Sequence, residues 1–136
     1  QVGELAMARI SGRQSGSPVA RGKLLHALTT ARTTSSTGTG RQLGAVSATK
    51  RLYAALHVTA ASGSTPSLTV KIQSDDNSGF TSATDRITFT ASTARDYQFS
   101  SVAGAITDDY WRAEYTIAGN GSESFSFAVS IAICTT

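Results

Sequence analysis

His26 and His57 are the two histidines of this chain, and both fall in segments with strand-like alternation. Imidazole is the side chain whose ordinary pKa lies near neutrality, so a hydroxyl nucleophile here would turn to one of them for a base. Hydroxyls are abundant, but no G-x-S-x-G turn presents one at the top of a sheet. Ser47-Ala48-Thr49-Lys50 matches S-x-x-K in its letters. A Ser–Lys pair of that type sits at a helix start and comes with companion motifs that this sequence lacks. Both histidines are therefore expected at a surface or interface, and no residue is assigned to catalysis.

The carboxylates form two clusters, Asp75-Asp76-Asn77 and Asp108-Asp109. Hard cations such as Ca²⁺ want several oxygens from one tight loop, with a bidentate Glu closing it. Gly79 is out of phase with an EF-hand loop, and Arg86 stands where that Glu belongs. Turn chemistry accounts for both clusters, because Asp and Asn side chains bond their own backbone. Cys134 is the one cysteine, which rules out an intrachain disulfide and a cysteine-based zinc site. Gly38-Thr39-Gly40 has no strand before it and no helix after it, so it is not read as a phosphate cradle. No metal and no cofactor is expected. Arg112 and Glu114 share a strand face and predict a cross-strand charge pair. Tyr53 and Tyr110 are the candidates for stacking on a sugar.

The elements that hold these residues are strands. Phe125, Phe127, Val129, Ile131 and Ile133 alternate with Ser126, Ala128, Ser130 and Ala132. Side chains point to opposite faces at each step of a strand, so the five large residues share one face. The same period runs through 51–60, 67–74, 83–90, 95–102 and 108–118. Lys23–Thr30 is a further candidate, with Leu24, His26 and Leu28 in phase, and 41–46 a short one. The polar stretch 32–40 reads as a loop. Ala61–Pro66 and Asp75–Gly79 read as turns, and Asn120-Gly121 carries a favoured hairpin signal before the last strand, stronger than its reading as a glycosylation sequon. Seven or eight short strands at this spacing predict an all-β, antiparallel β-sandwich, jelly-roll or Ig-like, with a barrel as the third choice. Its predicted core is Leu52, Leu56, Val58, Leu68, Val70, Ile72, Ile87, Phe89, Trp111, Tyr115, Ile117, Phe125, Phe127, Val129 and Ile131. Tyr97 and Phe99 are expected in phase with it.

Composition narrows the class of function. Of 136 residues, 15% are charged, while Ala, Ser and Thr number 20, 19 and 19. A surface so poor in charge raises little repulsion against a close partner. The net charge of +3 is unevenly placed: residues 1–50 hold seven Lys/Arg against one acid, and residues 51–136 hold five against eight. The chain is therefore divided into an extended basic arm, 1–22, and a β-sandwich domain, 23–136. Basic arms bind nucleic acid or acidic protein surfaces. No apolar run is long enough to cross a bilayer, and the first residues lack the charged-then-apolar pattern of a signal peptide.

The stretches 52–73 (LYAALHVTAASGSTPSLTVKIQ), 85–90 (DRITFT), 110–117 (YWRAEYTI) and 119–128 resemble small β-sandwich virion proteins of tailed bacteriophages. The pattern is a hydrophobic strand, an A-S-G-S-x-P turn, an L-x-V-x-I-Q strand and a Y-W-R strand, and it covers about residues 50–130. The resemblance implies a non-enzymatic capsid decoration (cement) protein located on the virion. Its partners would be the major capsid protein and neighbouring copies of itself, with no membrane and no specific nucleic acid. Arg9, Ile10, Arg13 and Arg21 of the arm are the expected interface residues. The alternatives are a tail tube or tail-tip protein, and a carbohydrate-binding β-sandwich module.

Overall fold

The computed structural model describes residues 22–135. Nine strands make up the described fold, with no helix: β1 (Lys23–His26), β2 (Ser36–Thr37), β3 (Arg41–Gln42), β4 (Lys50–Ser62), β5 (Ser67–Asp75), β6 (Thr84–Thr88), β7 (Asp96–Ala103), β8 (Tyr110–Ala118) and β9 (Ser124–Thr135). They form two antiparallel sheets, in the layered arrangement of a β-sandwich. The first runs β1-β9-β4-β7. The second runs β2-β8-β5-β6, with β3 pairing alongside β2 on β8. The longest ladder joins β4 to β9 from Lys50↔Thr135 to Ser62↔Ser124, with one irregularity between Val58 and Ala60.

Alternation dictates what fills the space between the layers. Leu52, Leu56 and Val58 of β4 meet Leu68, Val70 and Ile72 of β5, Trp111 and Tyr115 of β8, and the phenylalanines and aliphatics of β9, all buried. Each such side chain contributes on the order of 1.5–3 kcal/mol by leaving water. Every predicted core residue is buried except Ile117, which is half-buried near the end of β8. Leu25, Val46, Phe80, Ile106 and Ala113 are buried as well. Val46 and Ile106 come from loops that bridge each other through paired backbone bonds of 2.9 and 2.8 Å.

Several local expectations are corrected. The first strand ends at His26, and its buried residues are Leu25 and His26, while Leu24 and Leu28 are exposed. A bulge against β9 between Leu24 and His26 breaks the period of two. The polar stretch 32–40 is not all loop: Ser36–Thr37 pair with Tyr115 and Glu114, and Arg32 bridges Phe125. A two-residue edge strand with both side chains in solvent leaves no hydropathy signal. The 41–46 segment pairs on β8 only at Arg41 and Gln42. Asn120-Gly121 closes no hairpin, because β8 and β9 lie in different sheets and the turn carries the chain across the edge between them. That turn is held by Glu123, whose carboxylate accepts the Asn120 and Gly121 N–H groups at 2.6 Å each. Gly119 makes room for it, with φ at +147° and no space for a Cβ beside the Glu123 carboxyl.

Candidate docking face

The chemistry-bearing residues do not converge. His26 is buried between the layers, stacked on Phe127 at 4.3 Å and tilted against Tyr115 at 5.2 Å. This corrects the surface position expected for it: the bulge in β1 turns the ring inward. Burial, reinforced by the charge of Arg32, holds its imidazole below the usual pKa. His57 is exposed on the far side of its sheet, tilted against Tyr97 at 4.6 Å. Ser47–Lys50 is a turn closed by a Lys50 N–H to Ser47 carbonyl bond of 3.0 Å. Among the described residues, no group of three or more His, Cys, Asp or Glu side chains is placed to hold a metal ion.

The carboxylates are occupied with holding loops. Asp75 is fully buried and accepts the backbone N–H groups of Asn77 at 2.9 Å and Ser82 at 2.8 Å. Burial would raise its pKa, but those hydrogen bonds outweigh it and keep the carboxyl below its usual range. Asp76, beside that charge, is raised. Asp108 accepts the Ser74 hydroxyl at 2.6 Å and pairs with Arg86 at 2.9 Å, tying the 104–109 loop to β5 and β6. The Ser74 bond is the larger cause of its lowered pKa, and Arg86 adds to it.

The two outer faces of the sandwich differ in kind. On the outside of the five-stranded sheet, charges satisfy one another. Lys71 pairs with Asp85 at 2.7 Å, and Gln73 donates to Asp85 and Glu114 at 2.7 Å each. Arg112 donates to the Gln73 side-chain Oε1 at 2.8 Å and lies 4.4 Å above the Phe80 ring. The predicted Arg112–Glu114 pair is thus mediated by Gln73, because residues two apart on one strand point the same way but stand too far apart to touch.

Among the described residues, the outside of the four-stranded sheet carries no such network. Its rows read Leu24–Ser130–Ala55–Phe99 across all four strands, flanked by Ala132–Tyr53–Ser101 and Ala128–His57–Tyr97. Tyr97 and Phe99 are each 60% exposed and Leu24 is 52% exposed. Tyr53 stacks on Phe99 at 5.8 Å. Small residues of β9 and β4 form the floor, and the aromatics of β7 form a raised rim. Arg51, bonded to Ser101 at 3.1 Å, marks one end. Tyr97 and Phe99 thus alternate in the right period but on the opposite side from the one expected; Gln98 and Asp96 take the inward phase. Gln98 is spent on the β6–β7 crossover, where its side chain bonds both the N–H and the carbonyl of Thr90.

Tyr53 and Tyr110, the candidates for sugar stacking, lie on opposite outer faces of the sandwich, since one belongs to β4 and the other to β8. Arg9, Ile10, Arg13 and Arg21 lie outside the described residues. None of the described segments is a helix long and apolar enough to cross a membrane. No protein-family model, no curated protein and no solved structure matches this chain.

Proposed function

We propose that this chain is a structural protein of a bacteriophage particle, of the capsid-decoration type, and that the outer face of its four-stranded sheet is the surface that docks on the shell. The observation that carries this reading is the placement of exposed large hydrophobics. Three of the four among the described residues, Leu24, Tyr97 and Phe99, project from that one face, whose centre carries no charge among them. A soluble protein seldom leaves aromatics gathered on one face without a partner for them. Interfaces are enriched in such aromatics and depleted of charge at their centre. The partner is a protein surface of matching polarity, the major capsid protein, with neighbouring copies of this chain beside it.

Topology supports the same direction. Counting β2 and β3 as one interrupted strand gives eight strands in two sheets of four. All but one of the connections then cross from one sheet to the other; the exception is the β5–β6 hairpin. We read this as a jelly roll, an architecture that recurs in viral capsid and lectin domains. A fold hosts many functions, so the docking face rather than the topology bears the argument.

Purified phage particles whose genome encodes this chain provide the test. The Tyr97→Asp/Phe99→Asp variant should keep the wild-type far-UV spectrum and lose binding to particles that lack the protein. Wild-type affinity in that folded variant would remove the face from the account.

A further inference from the structure

A second feature, independent of the particle-docking reading, lies at the opposite margin of the four-stranded sheet. There β1 and the short β2 and β3 form facing edges of the two layers. Because β2 pairs for only two residues, the margin stays open, and a cavity of about 270 Å³ enters between the sheets. Its walls include Arg32, Arg41, His26, Thr29, Ser36 and Tyr115. Arg32, Arg41 and His26 therefore border one space together with hydroxyl-bearing residues, and no Asp or Glu lines it among the described residues.

Among the described residues, none of the three basic groups is paired with an acid. The salt bridges among the described residues are Lys71–Asp85 and Arg86–Asp108. Arg32 reaches only the Thr29 hydroxyl, at 3.5 Å, and Arg41 has no side-chain hydrogen bond among the described residues. His26 is 8% exposed, lines the cavity, and has no hydrogen-bond partner among the described residues. Among the described residues no fully buried side-chain nitrogen or oxygen lacks a partner, so an unpartnered ring nitrogen of His26 is one that the cavity leaves open to a ligand. The positive charge of Arg32 disfavours protonation of the imidazole, an effect that an anion bound between them would relieve. The imidazole pKa is lowered chiefly by burial and secondarily by the charge of Arg32. Guanidinium forks match the planar or tetrahedral oxygens of carboxylate and phosphate.

We propose that this cavity is an oxyanion site, in which Arg32 and Arg41 hold a phosphate- or carboxylate-bearing ligand and the His26 ring and surrounding hydroxyls complete its hydrogen bonds.

The test is an NMR titration of the full chain, following the His26 ring at fixed pH, with inorganic phosphate in one arm and acetate in the other. Sodium chloride at matched ionic strength controls for screening. Saturable shifts with phosphate alone identify a phosphate ester as the ligand class, and shifts with acetate alone identify a carboxylate. Shifts with both identify a general oxyanion site. Arg32→Gln and Arg41→Gln alter exposed side chains, should keep the fold, and should each weaken binding about tenfold or more, the loss expected for one charge-assisted contact. The proposal is overturned if neither anion shifts the ring, if chloride reproduces the shift, or if both variants bind as the wild type does.

Discussion

Replacing Trp111 by alanine tests how the two layers are joined. The indole is fully buried near the start of β8 and its Nε1–H donates to the Gly44 carbonyl at 2.9 Å. Gly44 presents that carbonyl from a backbone turn with φ of +89°, and its own N–H bonds the Asp109 carbonyl at 3.1 Å. The side chain thus fills core volume and also fastens the loop before β4 to the sheet. Truncating a buried Trp to Ala costs about 3–5 kcal/mol through lost burial and the cavity left behind. A small domain holds only about 5–15 kcal/mol in total, so a loss near 4 kcal/mol lowers Tm by about 15 °C. Trp111→Phe keeps most of the burial and removes the hydrogen bond, and should cost about 1–2 kcal/mol. Urea unfolding followed by far-UV circular dichroism reads both variants, since Trp111 is the sole tryptophan and fluorescence disappears with it. A loss below about 1 kcal/mol for the alanine variant, or equal losses for both, would refute this account of the core.

Other consequences follow from the loops. Gly119→Ala places a Cβ against the Glu123 carboxyl at a φ of +147° and should destabilise the fold by about 1–3 kcal/mol; Glu123→Gln, which spares that space, should be milder in the same urea assay. Acid should unfold the protein. Asp85, Asp108 and Glu123 are held below their ordinary values by the hydrogen bonds of Lys71, Ser74 and the Asn120 N–H respectively. A carboxylate with a depressed folded pKa binds its proton more readily when unfolded, so its stabilisation is full above the unfolded value and lost as pH falls through the folded one. The urea midpoint should therefore drop steeply below the unfolded values of 3.8 for Asp and 4.5 for Glu. Asp76, which is raised, opposes this weakly. His26 has the same sign in a higher window: its folded pKa is lowered from 6.5, so stability begins to fall as pH drops below that value, and His26→Phe should abolish this early part of the decline.

Long runs with a clean period were legible because one physical rule generated them. Along most of β4, β5, β8 and β9 every second side chain is sealed between layers, and most of the buried apolar set follows from the letters alone, with Ile117 the exception near a strand end. The edges were not legible in this way. β2 and β3 are two-residue pairings whose side chains all face solvent, so burial imposes no pattern on them. In β1 a bulge reverses the phase, and a period of two read through a bulge inverts every later assignment. β7 failed differently. Its period is intact, but both of its phases carry side chains that a strand accepts, and apolar character pointed to the wrong one. Tyr97 and Phe99 face out because Gln98 and Asp96 are needed inside the β6–β7 corner to satisfy Thr90 and Ser92. The exposed aromatic face was hidden by the same misreading: aromatics expected in the core lie on the surface. The cavity between β1 and β3 was unreadable for another reason, since it is assembled from edges that left no signal.

Hydroxyl-radical footprinting of the protein on purified phage particles, set against the free protein, addresses the central claim directly. Tyr97, Phe99 and Leu24 should be oxidised rapidly in solution and protected on the particle, while Tyr110, on the opposite face, should react equally in both. Equal oxidation of Tyr97 and Phe99 in the two states, or particles that carry no copy of this chain, would contradict it.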